Sequence, residues 1–143
     1  MAASFLVPTV VVALAEIGDK TQLLSLLLAA RFRKPVPIII GILLATLLNH
    51  SLAGMLGEWL RSLVSADAAR WVLGVSLIAI AAWVLRPDEI GNVESTTGRW
   101  GVFVIALVSF FFAEIGDKTQ IATIVMAAQY HDLVSVVLGT TLG

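Results

Sequence analysis

The chain has 143 residues and a formal net charge of −1; 59% of the residues are hydrophobic, 13% are charged, and the mean hydropathy is +0.97. A soluble domain of this size carries about 25% charged residues, and the apolar runs here outlast those of buried core helices, so the sequence reads as an all-α, polytopic membrane protein. With no Cys, disulfide staples, thiolate metal sites and thiol redox chemistry are excluded, and no basic patch points to nucleic acid.

The first predicted span covers residues 4–32 and is interrupted by AEIGDKTQ at residues 15–22. Ala13-Leu14-Ala15 has the form of a signal-peptidase site, but no Lys or Arg precedes Lys20. The same segment also recurs deep inside the chain, so it reads as a retained span. The basic loop Arg31-Phe32-Arg33-Lys34 leads into a second span over residues 37–64 and a third over residues 68–85. Residues 86–99 are polar, with Pro and Gly and no apolar period, and read as a linker. A fourth span covers residues 101–130 and contains AEIGDKTQ again at residues 113–120. After the polar turn His131-Asp132, a fifth span starts at Leu133 and stops at Gly143.

The two motifs set an offset of 98 residues (114 − 16), which also places Ser25 on Thr123, Phe32 on Tyr130 and Gly41 on Gly139. Residues 1–86 are therefore expected to form one three-helix repeat, residues 87–98 a cytoplasmic linker, and residues 99–143 an incomplete second repeat. Three spans per repeat is an odd number, so the second copy enters the membrane inverted, as in many secondary transporters. Arg31, Arg33, Lys34, Arg86 and Arg99 fall in the loops after spans one and three, which puts those loops in the cytoplasm and the N-terminus outside. The offset projects the six-span pattern to near residue 184 (86 + 98), so the chain is expected to be a piece of a longer protein, inactive as an exchanger by itself.

On a continuous helix Glu16 and Asp19 would share one face, with Lys20 one turn beyond Glu16. Gly18 is the weak point, where a break would bring backbone carbonyls to the site. Each ionisable residue at this depth costs about 2.5–3.5 kcal/mol on the lenient insertion scale, which implies a function. A purely structural alternative is a pair of intrahelical salt bridges, Glu16–Lys20 and Glu114–Lys118. Two Glu, two Asp and two Lys leave a net −2, the complement of one divalent cation. An all-oxygen donor set suits Ca²⁺, Mn²⁺ or Mg²⁺, and protons compete with a metal for clustered carboxylates.

The duplicated E-x-G-D-K-T signature resembles the Gdt family of manganese/calcium cation antiporters, in the lysine-exporter superfamily. That resemblance covers the whole chain and implies two inverted three-helix repeats in a bacterial plasma membrane. It implies exchange of Mn²⁺ or Ca²⁺ for protons or another cation, no enzymatic activity and no cofactor. It further implies that Glu16, Asp19, Glu114 and Asp117 bind the ion, with Thr21, Gln22, Thr119 and Gln120 as candidate supporting ligands. Lys20 and Lys118 match the basic position, for gating or charge balance. Partners are then the bilayer, the ion and protons, with homo-oligomer formation left open. The competing functions are a carrier of an organic cation and, more remotely, an intramembrane aspartyl protease.

Three other features stand out. Asn49 and His50 sit mid-span, suited to a carbonyl ligand and a proton relay or to plain interhelical hydrogen bonds. Gly41-x-x-x-Ala45 and Gly139-x-x-x-Gly143 have the spacing of close helix contacts. Trp59, Trp71, Trp83 and Trp100 fall near span ends, where the ring's amphipathic character suits the interface.

Overall fold

The structure, a computed structural model, describes residues 2–86 and 101–143 and is all-helical over them. In chain order the helices are α1 (Ala2–Glu16), α2 (Lys20–Phe32), α3 (Pro35–Leu63), α4 (Ala66–Val84), α5 (Val102–Glu114), α6 (Lys118–Gln129) and α7 (Leu133–Leu142). The linker expected at residues 87–98, together with Arg99 and Trp100, lies outside the described residues.

α3 and α4 are each long and apolar enough to cross a membrane, and α1 and α2, bent by 69° at a short break, together meet the same test of length and apolarity as one broken span or a re-entrant loop. Helix ends follow from local chemistry. Arg33 takes a left-handed conformation (φ 51°) and its N–H bonds the Ala29 carbonyl, closing α2; Pro35 then opens α3, where a missing N–H costs nothing. Ser65 accepts from the Ala68 N–H to start α4. The expected solvated turn has a more specific role at Asp132, which caps α7. The Ser135 hydroxyl (2.5 Å) and N–H (3.1 Å) both donate to it and hold its carboxyl below the usual carboxylate range.

Packing is built on small residues. A Cβ on Gly41 would lie 2.9 Å from the Phe103 carbonyl oxygen, and one on Gly139 would lie 2.5 Å from the Phe5 carbonyl oxygen. Both pairs are related by the 98-residue offset. α3 thus presses on α5 as α7 presses on α1, at positions related by the same offset. Leu24, Leu28, Ile38, Ala45, Ala106 and Phe110 form one apolar core between α2, α3 and α5. Elsewhere Gly57 of α3 meets the Ile124 carbonyl of α6 in direct contact. α4, by contrast, buries only Ile80, and its Trp71, Val75 and Ile78 are exposed, which suits a helix bathed in lipid.

These contacts give a stability prediction. Gly41→Leu and Gly139→Leu should each cost about 1–3 kcal/mol by overpacking against backbone that cannot yield. Gly74→Ala, where a Cβ would meet nothing within 4 Å, should instead gain up to about 1 kcal/mol. Thermal unfolding in detergent checks all three. Equal effects at the three positions would mean that the close contacts are absent.

Candidate functional site

The two motifs fold into the same turn. Glu16 and Glu114 are the last residues of α1 and α5, and Asp19 and Asp117 stand at the N-cap positions of α2 and α6. Between them Gly18 and Gly116 adopt φ of 75° and 76°. That left-handed conformation costs other residues about 1–2 kcal/mol, which is why glycine occupies both positions. The Asp N–H groups bond the Glu carbonyls at 3.0 and 3.1 Å, and the Gly N–H groups donate to Gln22 Oε1 at 3.0 Å and Gln120 Oε1 at 2.7 Å. The single-face reading of Glu16 and Asp19 is therefore corrected. Helical periodicity does not run through the motif, because Gly18 ends one helix before Asp19 begins the next. Gln22 and Gln120, expected as supporting ligands, use their side-chain oxygens to brace this turn.

Neither Asp caps its own helix through its side chain. The carboxylates turn to the opposite motif instead. Lys118 Nζ lies 3.1 Å from Asp19 Oδ1, with both side chains almost fully buried, and Lys20 Nζ lies 3.8 Å from Asp117 Oδ1. The motif lysines' ion pairs found among the described residues thus run between the motifs. Each lysine meets the other motif's aspartate.

Carboxylate oxygens of Glu16, Asp19 and Asp117 lie within 4.8 Å of one another. The Thr21 hydroxyl donates to Glu16 Oε2 at 2.6 Å and is also 3.2 Å from Asp19 Oδ2; having one proton, it serves the nearer oxygen. Asp117 Oδ2 is buried with no hydrogen-bond partner among the described residues. Buried lone pairs left open in this way are costly unless something binds them. The C-terminal ends of α1 and α5 favour positive charge, while the N-terminal ends of α2 and α6 favour the carboxylates of Asp19 and Asp117.

Glu114 stands apart from that trio. Thr46 Oγ1 donates to its Oε1 at 2.7 Å and Asn49 Nδ2 to its Oε2 at 3.3 Å, while Asn49 also donates to the Phe111 carbonyl at 3.0 Å. A cavity of about 530 Å³ is lined by Glu16, Thr21, Thr46, His50, Glu114 and Thr140, among others. Asp19 and Asp117 do not line it, so Glu16 is the carboxylate common to the trio and the cavity. Sequence reasoning missed Thr46, although a signal existed: Thr46, Asn49 and His50 are spaced i, i+3, i+4 and share one face of a mostly apolar helix.

The sequence profile of the divalent cation/proton antiporter GDT1 family matches residues 4–92 and 102–143. The chain belongs to that family. It is 59% identical over 133 residues to a Vibrio cholerae protein named "Putative manganese exporter", covering 92% of this chain and 66% of that one. It is 31% identical over 156 residues to GDT1-like protein 3 of Oryza sativa subsp. indica, covering 90% of this chain and 55% of that one. A GDT1-like protein of Synechocystis is 29% identical over 147 residues, covering 90% of this chain and 71% of that one. The chain thus spans between about half and two thirds of the length of the first two relatives. No solved structure matches it.

Proposed function

We propose that the chain binds one divalent cation, Mn²⁺ before Ca²⁺, between its two motifs, and that protons compete for the same carboxylates as part of cation/proton exchange. The observation that carries this is the joining of Glu16, Asp19 and Asp117 from the two motifs into one cluster, with each lysine paired to the other motif's aspartate. Family membership supports the class of transport, and the name of the Vibrio relative supports manganese. The division into residues 1–86 and 99–143, inverted with respect to each other, belongs to the same reading. So do a plasma-membrane location and an outside N-terminus, for which the basic loop at residues 31–34 is the support.

In this reading the ion is cargo and no resident cofactor is needed. The site makes and breaks no covalent bond. Glu16, Asp19 and Asp117 hold the ion, and Thr21 and Thr119 add hydroxyl oxygens. Gln22 and Gln120 keep the two turns in shape. Lys118 and Lys20 neutralise the aspartates while the ion is away and must yield when it arrives. Glu114, tethered by Thr46 and Asn49, faces the cavity through which the ion approaches Glu16.

A titration in detergent tests the core of this. Mn²⁺ binding to the purified chain should release protons into weakly buffered solution and weaken about tenfold or more between pH 7.5 and pH 5.5, because the ligands must be deprotonated to bind. Binding that ignores pH would contradict exchange with protons. Failure to bind any divalent cation would remove the site.

A further inference from the structure

We propose that His50 is a nitrogen ligand of the cavity that gives the protein a preference for Mn²⁺ over Ca²⁺; this rests on the cation-site reading above and adds the residue that selects the ion. His50 lies in the middle of α3 and is only 2% exposed, yet it lines the same cavity as Glu16 and Glu114. Its Nδ1 has no hydrogen-bond partner among the described residues, while the ring also meets the backbone of Thr140 on α7. Metal-binding imidazoles are commonly steadied by a neighbouring backbone group, as the Thr140 contact does here for a ring that lines the cavity. A histidine kept only to join α3 to α7 would not need to line the acidic cavity.

Selectivity follows from donor chemistry. Carboxylates and hydroxyls bind Mn²⁺ and Ca²⁺ alike, since both accept hard oxygen ligands. Imidazole nitrogen is a good ligand for transition-metal ions and a poor one for Ca²⁺, whose sites are built of oxygen. One such nitrogen in the cavity that Glu16 and Glu114 also line therefore separates two ions that the motif oxygens cannot. Neighbouring groups suit this role: Thr46 and Asn49 hold Glu114 on the same face of α3, so the carboxylate and the imidazole are presented together.

The test is pulsed electron paramagnetic resonance of the purified chain, free of any histidine tag, loaded with MnCl₂. The wild-type protein should show nitrogen hyperfine coupling to Mn²⁺. The chain has two histidines, so His50→Gln should lose the coupling and His131→Gln should keep it. In parallel titrations with MnCl₂ and CaCl₂, His50→Gln should lower Mn²⁺ affinity about tenfold or more and leave Ca²⁺ affinity unchanged. Mn²⁺ bound to the wild type without nitrogen coupling would overturn the role of His50 while leaving the carboxylate site intact. A wild-type chain that binds neither ion would overturn the cation-site reading, and this inference with it. The wild-type spectrum decides even if His50→Gln fails to fold.

Discussion

Asp19→Asn and Asp117→Asn should each abolish tight Mn²⁺ binding, and to a similar extent. Asn preserves shape but removes a unit of negative charge from a cluster of three carboxylates already offset by two lysines. At about 4 Å and an effective dielectric near 20, a unit charge pair is worth about 4 kcal/mol, and a divalent ion doubles it. Even after heavy discounting for relaxation, loss of either carboxylate costs about a hundredfold or more in affinity. The two residues occupy equivalent N-cap positions and each meets the other motif's lysine, so neither is dispensable. Glu58→Gln, on an exposed residue paired with Arg61 at 3.7 Å, should leave affinity unchanged. Normal binding by Asp117→Asn beside a dead Asp19→Asn would make this a one-motif site.

The two lysines should behave differently. Lys118 and Asp19 are 2% and 0% exposed at 3.1 Å, so Lys118→Met strands a buried carboxylate and should cost about 3–5 kcal/mol. Lys20 is 34% exposed and 3.8 Å from Asp117, and its pair is largely screened by solvent, so Lys20→Met should cost about 1 kcal/mol or less. Saturating Mn²⁺ should stabilise Lys118→Met more than it stabilises the wild type, because the ion then supplies the missing positive charge without displacing an ammonium group. Thermal unfolding with and without MnCl₂ reads both effects. Equal costs for the two lysines would contradict the asymmetry of the pairs.

Much of this was legible in the sequence because it depends on local rules. Span boundaries followed from apolar length and from Pro35, and the break at Gly18 followed from glycine placed inside an apolar helix. The 98-residue offset carried further than the motif, since it also relates the Gly41 and Gly139 contacts. The pairing of charges was not legible. Spacing alone suggests Glu16 with Lys20, and only the folded chain brings Lys118 of the second motif to Asp19 of the first. The bracing role of Gln22 was hidden for a related reason, since it depends on the Gly18 N–H being freed by a turn that periodicity cannot describe. Thr46 was overlooked because a lone Thr in an apolar run looks like packing until a carboxylate from 68 residues away reaches it.

The central claim is that both motifs build one ion site, and counting Mn²⁺ bound per chain tests it most directly. A titration followed by the free-Mn²⁺ resonance should give one tight ion per chain. The double variant Asp19→Asn/Asp117→Asn should be scarcely worse than either single one, the non-additivity expected of groups acting on a shared ligand. Two tight ions per chain, one lost with each aspartate, would contradict it.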